Sequence, residues 1–507
     1  MPTSIEGMMT TGVANIHRRA LTRAVAGLGI AALGLGSLLL AAMAAATLPA
    51  VKPLGAVPPS TTAVAAATPI QSTPGASPSA IPATPTLTPL PTPTSTSTST
   101  STATATPKPT PHVRESFVAL GTEPGLTADP FHPGVVAVVT QNVVMQGPGS
   151  GCSRPSVRIS RDGGATWGAA IYPLAYQCQD IHAVIAWGPN SRLWFGDAVG
   201  VSGGVAVAVT YSDDLGKTWA ARFIQRFTKP WVGCFPAMTV DNWPGSPNFG
   251  TVYVAYNWLP NAYGPGVALM ASRTGSSWVH TEVALDQPPP GYPYAWRIGY
   301  RIAVAPNGTA LVSFYQSSLR SWNPANMFNE GSGSNISSRG FETALVHFDG
   351  KTLSADAPTW ATSVDHWSAE FQSALAFDDS GRAWMAVENG NSVTFGNLDG
   401  SWRGISVPGM ESFKPSLAVG GRTIFVGWHA QDRGGRVWTY YTLSYDGGET
   451  FLPPALLTNA VWYPGSAADL INGVGLRENA DFSNGVFYYV YGDARSGVGA
   501  YLAQITP

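Results

Sequence analysis

Three copies of one short motif constrain the fold of this chain more than any other feature. The copies are SRDGGATW at 160–167, YSDDLGKTW at 211–219 and SYDGGETF at 444–451. Each copy begins Ser-x-Asp, passes through a Gly-containing turn and ends on Thr and an aromatic residue. Asp and Gly supply the backbone angles that a tight turn between two strands requires. The motif therefore predicts a chain built from repeated strand–turn–strand units.

A two-strand unit recurs seven times along the chain. The units begin at Leu126, Ala183, Ala237, Arg301, Ser373, Ser416 and Asn472. Their spacing of roughly forty to seventy residues is typical of propeller blades rather than separate domains. The last unit lacks a fourth strand, which SFVAL at 116–120 can supply by closing the circle. We therefore predict an all-β, seven-bladed propeller, and a six-bladed one if unit four or five is not a blade.

The motif resembles the Asp box, or BNR repeat, of sialidase-like β-propellers. The residues that carry the resemblance are Ser160, Asp162, Gly164, Thr166 and Trp167, then Ser212, Asp213, Gly216, Thr218 and Trp219, and finally Ser444, Asp446, Gly448, Thr450 and Phe451. In that family the boxes lie on the face opposite the active site, so the resemblance implies structural boxes. Local hydrogen bonds from Ser and Asp to the turn backbone give the same prediction.

The first 112 residues differ in composition from the rest. A basic flank and an apolar run at 24–46 predict an export signal or membrane anchor over 1–47, with cleavage and retention both open. The Pro-, Thr- and Ser-rich segment 48–112 predicts a disordered stalk, and the propeller is assigned to 113–507. We expect an extracytoplasmic location, either secreted or at the cell surface with the membrane reached through an uncleaved anchor. Cys152, Cys178 and Cys234 fit one disulfide, and their pairing stays open.

Charge and ligand spacing exclude several classes of function. The formal net charge is −2, and no basic face of the kind that binds nucleic acid stands out. The cysteines lack the spacing of a zinc site, and no box has the oxygen-ligand order of an EF-hand. We predict no metal, no cofactor and a monomer.

Candidate site residues lie in the longer loops of the face opposite the boxes, because loops on a rigid scaffold usually carry function. The catalytic candidates are Asp180, Asp197, Tyr300, Arg301, Glu370, Glu388, Glu411, Asp493 and Arg495. The ligand-binding candidates are His182, Trp231, Trp258, Trp296, Trp367 and His429. Carboxylates supply acid and base chemistry, and aromatic rings stack on sugars or pack between blades.

Two functions follow from this pattern. The first is binding of extracellular glycan or protein through the loop-rich face. The alternative is an exo-acting glycoside hydrolase of sialidase type, for which the resemblance implies three arginines, a tyrosine nucleophile and acidic partners. Members of that family carry Arg-Ile-Pro before the first box, where this chain has Arg114-Glu115. Sialidases of the Asp-box type also have six blades. Both departures favour binding.

Overall fold

The described residues form strands and turns. The computed structural model describes residues 109–145, 151–174, 182–201, 204–220, 223–226, 235–261, 264–283, 291–321, 336–364, 373–389, 392–400, 402–464 and 478–507. The leader and nearly all of the stalk lie outside these residues. Within them, no helix has the length and apolar character needed to cross a membrane. All described strands belong to one compact unit that includes Thr110–Pro507.

Seven antiparallel sheets make up this unit, each running from a first strand on the inside to a last strand on the outside. Blade 1 contains β2 (Thr122–Ala128), β3 (Val136–Met145) and β4 (Gly151–Ser160), with a single outer bridge between Val157 and Ile171. Blade 2 contains β5 (Val184–Gly188), β6 (Arg192–Val201), β7 (Gly204–Ser212) and β8 (Phe223–Arg226), with a short 3-10 turn at Pro189–Ser191. Blade 3 contains β9 (Ala237–Val240), β10 (Val252–Asn261), β11 (Gly264–Ser272) and β12 (Val279–Glu282).

The remaining four blades repeat the pattern. Blade 4 contains β13 (Tyr294–Val304), β14 (Ala310–Leu319), β15 (Ile336–Phe348) and β16 (Leu353–Ala355), and β17 (Thr359–Ser363) also pairs with β15. Blade 5 contains β18 (Ser373–Phe377), β19 (Ala383–Asn389), β20 (Ser392–Asn397) and β21 (Trp402–Ile405). Blade 6 contains β22 (Glu411–Gly420), β23 (Thr423–Gln431), β24 (Val437–Ser444) and β25 (Ala455–Leu456). Blade 7 contains β26 (Asn479–Ser483), β27 (Val486–Asp493) and β28 (Gly499–Thr506), completed by β1 (His112–Leu120).

The ring closes with the N-terminal strand, as the sequence predicts. β1 pairs antiparallel with β28, and Val113 lies opposite Ile505. Each first strand packs against the first strand of the next blade, and β26 returns to β2. The seven-bladed prediction is confirmed and the six-bladed alternative is wrong, because units four and five each form a complete sheet.

Side chains of the innermost strands seal the junction between blades 7 and 1. The Asn479 amide accepts from Leu126 N (2.7 Å) and donates to Leu126 O (2.8 Å). Asp481 accepts from Ala128 N at 2.8 Å. These bonds satisfy backbone groups on the inner edge of β2, which has no neighbouring strand on that side.

The three boxes lie in the turns between third and fourth strands and build those turns. In the first, Ser160 Oγ donates to Asp162 Oδ1 (2.7 Å) and accepts from Gly164 N (2.7 Å), while Asp162 accepts from the Thr166 amide and hydroxyl (2.9 and 2.6 Å). The third box repeats these bonds with Ser444 and Asp446. The box aspartate therefore stabilises its own turn by accepting hydrogen bonds from residues within that turn.

The second box corrects one assignment. Asp214, not Asp213, accepts from the Thr218 amide (2.8 Å) and hydroxyl (2.6 Å) and from Ser212 Oγ (2.8 Å). Asp213 occupies the variable position and instead pairs with the guanidinium of Arg192 at 2.7 and 2.9 Å. Two adjacent aspartates made the register ambiguous in the sequence, and the Ser-x-Asp spacing, applied strictly, selects Asp214.

The box turns share a face with the turns between first and second strands. Gly163 N donates to Gly134 O (2.8 Å) in blade 1, and Gly447 N donates to Arg422 O (2.8 Å) in blade 6. We call this the box face and the opposite one the polar face. Box glycines also contact the preceding blade: Gly216 lies against Ile171 of blade 1, and Gly448 lies against Trp384 of blade 5. The boxes are therefore blade-to-blade joints.

Candidate functional site

A channel runs along the axis of the ring and has a cavity volume of about 540 Å³. First strands from all seven blades line it, mostly with small and apolar side chains. Arg301, Glu478 and Asp481 add charged groups to the wall. Burial raises the pKa of Asp481 to about 6, against the lowering effect of the hydrogen bonds that it accepts from Ala128 and Phe482.

The second strand of each blade carries at least one buried polar side chain with a carboxyl, amide or imidazole group in the half nearer the polar face. The members of this polar ring, one per blade in chain order, are Gln141, Asp197, Asn257, Gln316, Glu388, His429 and Asp493. All are at most 8% exposed. Burying a polar group in an apolar sheet costs free energy unless partners compensate. Seven such positions at one level are therefore a feature of this face and not of the blade core.

Sequence reasoning found four of these seven residues. Asp197, Glu388, His429 and Asp493 were candidates because they carry ionisable groups near strand ends. The amides Gln141, Asn257 and Gln316 were not predicted, because an uncharged amide near a strand end does not indicate acid–base chemistry. Their position along the strand identifies them, since each lies about six residues into the second strand of its blade.

His429 belongs to a well-ordered buried pair. Its Nε2 lies 3.0 Å from Glu478 Oε2, and its Nδ1 lies 3.1 Å from the Thr439 hydroxyl. Glu478 Oε1 also accepts from Gly492 N at 2.8 Å, and the Tyr489 hydroxyl donates to Oε2 at 3.5 Å. The carboxyl of Glu478 is therefore fixed by donors on several sides.

Asp493 and Arg495 form a second ionic group close to the first. Arg495 donates to Asp493 Oδ2 (2.6 Å), contacts Glu115 Oε1 (2.7 Å) and donates to the Tyr491 hydroxyl (3.0 Å). Its guanidinium also stacks on Tyr501 at 4.0 Å. Burial raises the pKa of Asp493, and the bonds from Arg495 oppose that shift. Because Glu115 lies on β1, Arg495 joins the closing strand to blade 7.

The other described candidates lie in different surroundings. Tyr300 is fully buried, donates to Arg297 O (3.0 Å) and does not line the channel, whereas Arg301 does. Trp296 is buried against Tyr315 at 5.9 Å, so it packs within its blade. Glu411 is exposed at the start of β22. Arg297 donates to Gln316 Oε1 (2.6 Å) inside blade 4.

Several predicted residues lie outside the described part of the chain. These are Asp180, Trp231, Glu370 and Trp367, with Cys178 and Cys234; the side chains of Cys152 and Trp258 are likewise outside it. Among the described residues, no group of three His, Cys, Asp or Glu stands close enough to hold a metal ion.

Only one member of a further buried pair, His182 and Glu123, was predicted from the sequence. His182, a predicted ligand-binding residue, is buried just before β5 and stacks on Phe235 with ring centroids 3.9 Å apart. Its Nδ1 lies 3.9 Å from Oε2 of Glu123, a buried residue in β2 that was not among the predicted site residues. Both residues lie just upstream of channel-lining residues, Gly125 and Ala183.

No protein-family model and no curated protein matches this sequence. Solved structures similar to the chain include an α-L-arabinanase of Penicillium chrysogenum (13% identity, 64% of this chain and 94% of that one, TM-score 0.44). They also include an α-L-arabinofuranosidase of Fusarium graminearum (13%, 65% and 97%, TM-score 0.42) and a Hadza microbial sialidase (14%, 69% and 73%, TM-score 0.41). The likeness is one of fold. Identities and TM-scores this low carry no information on activity.

Proposed function

We propose that this protein is an extracytoplasmic propeller that binds a glycan on its polar face. The polar ring is the observation that carries the proposal. A ring of buried polar groups is unnecessary for joining blades, since the apolar core and the box turns already do so. Pairs within the chain, such as His429–Glu478 and Asp493–Arg495, offset the cost of desolvation and hold these groups in fixed orientations for a ligand.

The chemistry of the ring fits a hydroxyl-rich ligand. Three carboxyls, three amides and one imidazole offer both donors and acceptors at one level. Sugars present closely spaced hydroxyls that donate and accept in the same way. A polyanionic partner fits less well, because the chain has a formal net charge of −2.

The extracytoplasmic location rests on the sequence of the first 112 residues. A basic flank followed by an apolar run directs export, and a Pro-, Thr- and Ser-rich stalk holds a domain away from a surface. Retention of the apolar run as an anchor gives a tethered protein, and cleavage gives a secreted one. Amino-terminal sequencing of the exported protein distinguishes the two.

Glycoside hydrolysis is a second candidate, favoured by Asp493. A general acid needs a carboxyl whose pKa is raised toward the working pH. Burial acts on Asp493 in that direction. Asp197 and Glu388 are further buried carboxyls at the same level of the ring.

A glycan array probed with the purified full-length protein tests binding, and fluorogenic glycosides, sialosides included, test turnover. We expect Glu388→Gln to weaken binding and Glu449→Gln, an exposed change on the box face, to leave it unchanged. Equal binding by both variants would place the ligand elsewhere. Turnover that Asp493→Asn abolishes would establish the enzyme.

A further inference from the structure

Glu123 occupies an unusual backbone position. β2 has a bulge that leaves Glu123 and Pro124 without partners in the register between Thr122 and Gly125. Glu123 has φ 53°, in the left-handed region that residues with a Cβ seldom adopt. Such conformations persist where the surrounding structure enforces them, and they cluster at functional sites.

The same distortion recurs in other blades. Gly299 (φ 72°) and Lys414 (φ 52°) occupy the equivalent bulges of β13 and β22, and Phe235 (φ 54°) precedes β9. Only one of these four residues is a glycine. The bulge therefore belongs to the architecture of the polar face, where it re-aims the residue that it contains.

The carboxyl of Glu123 is buried without the bonds that its position demands. Its side chain is 2% exposed, and neither oxygen has a hydrogen-bond partner within the part of the chain that the structure describes. The imidazole of His182 lies beside it, with Nδ1 3.9 Å from Oε2, and this Nδ1 is also without a hydrogen bond in that part. Buried polar groups in native proteins are almost always paired, so each exception requires an explanation.

Glu478 shows what a structural carboxyl looks like at the same end of the channel. It is equally buried, yet it receives bonds from His429, Gly492 and Tyr489. Packing in this fold can therefore satisfy a buried carboxyl completely. Among the described residues no donor reaches the carboxyl of Glu123, which indicates that a bound group supplies one.

We infer that Glu123 and His182 form a subsite for a neutral, hydroxyl-bearing group of the glycan ligand. One sugar hydroxyl donates to a Glu123 oxygen, and a neighbouring hydroxyl bonds to His182 Nδ1. The ring of Phe235 holds the imidazole in place by stacking. A group bearing its own carboxylate is rejected, because it would meet the Glu123 carboxyl with like charge. The inference rests on the proposed glycan binding and specifies which sugars fit.

Denaturant unfolding tests the pair without any ligand. Glu123→Gln keeps the shape and removes the unpaired acid, so we expect its midpoint to rise above that of the parent. Glu478→Gln is the matched control and should lower the midpoint, because one of the two acceptor oxygens becomes an NH2 group that faces other donors. A fall of the same size in both variants would show that Glu123 is a structural residue and would overturn the inference.

Calorimetric titration with methyl galactoside, methyl mannoside, methyl arabinofuranoside and sialyllactose tests the ligand class. We expect at least one neutral glycoside to bind, with affinity about tenfold or more weaker in Glu123→Gln and unchanged in Glu449→Gln. Unchanged affinity in Glu123→Gln overturns the subsite. Binding of sialyllactose alone overturns it but leaves the proposed function standing. Binding of none of the four overturns both.

Discussion

Replacing Gly448 by alanine tests whether the boxes join neighbouring blades. Gly448 has φ +85°, and a Cβ there would overlap Trp384 Cη2 and lie 2.8 Å from its Cζ3. Trp384 is a buried residue of blade 5. Its neighbour Gly447 has φ +76° but nothing within 4 Å of an added Cβ. The two glycines share the same backbone strain, and only Gly448 contacts the preceding blade.

The expected losses of unfolding free energy follow from the backbone strain and from the overlap with Trp384. A left-handed alanine costs about 1–2 kcal/mol, so Gly447→Ala should lose that much unfolding free energy. Overpacking against a buried ring adds about 1–3 kcal/mol, so Gly448→Ala should lose about 2–5 kcal/mol in total. Denaturant unfolding of the full-length chain, followed by tryptophan fluorescence, measures both differences if the transitions are single.

A double-mutant cycle isolates the contact itself. A Trp384→Leu background lacks the indole ring. There, the extra loss of unfolding free energy in Gly448→Ala over Gly447→Ala should shrink toward zero. If the two glycine variants are equally stable in the parent chain, the box does not act as a joint between blades 5 and 6. An extra cost that persists without Trp384 would point to a different neighbour, such as Ile424 at 3.2 Å.

Three further predictions concern the second box, the junction between blades 7 and 1, and the channel. Asp214→Ala should lower the unfolding midpoint more than Asp213→Ala does, because hydrogen bonds hold the pKa of Asp214 at about 2; its contribution is present above pH about 4 and should vanish as the pH falls through about 2, which acid unfolding of both variants measures. Asn479→Ala should lose about 1–3 kcal/mol, because Leu126 N and O are left without partners; unchanged denaturant stability would show that this pair does not close the ring. Asp481 has a folded pKa raised to about 6, so its contribution is fully present below about pH 4 and is lost as the pH rises through 6, by at most ~3 kcal/mol; Asp481→Asn should flatten that part of the stability profile, and an identical slope in both proteins would contradict the shift.

The architecture was predictable because it rests on local rules repeated along the chain. Ser160 and Asp162 build a turn with their own side chains, so seven residues of sequence suffice to recognise it. Ring closure was also predictable, since an unpaired edge on the last blade demands a strand and β1 has the right pattern. One error came from two adjacent aspartates, where the strict Ser-x-Asp spacing and the hydrogen bonds both identify Asp214 as the box residue.

The site was less predictable because its residues derive their character from burial and register. Tyr300 and Trp296 have the chemistry of a sugar site, yet both are buried: Trp296 packs on Tyr315 in blade 4, and the Tyr300 hydroxyl contacts backbone oxygens of blades 3 and 4. The sequence alone does not show whether an aromatic residue faces the channel or the neighbouring blade. A bulge of one residue reverses the side of the strand on which the following side chains lie. Such a bulge lies between Ile298 and Arg301.

Glu123 shows how the equivalent bulge in β2 decides what a carboxyl can do. In the sequence it is one acid in Thr122–Ala128, a strand otherwise without charge, and solvent exposure is the ordinary expectation for such a residue. The bulge turns it inward, where burial removes water and no described residue donates to its carboxyl. Glu478, one blade away, receives a full set of donors from β23 and β27. The difference between a structural acid and a ligand-binding one in this ring therefore lies in which donors the neighbouring strands supply.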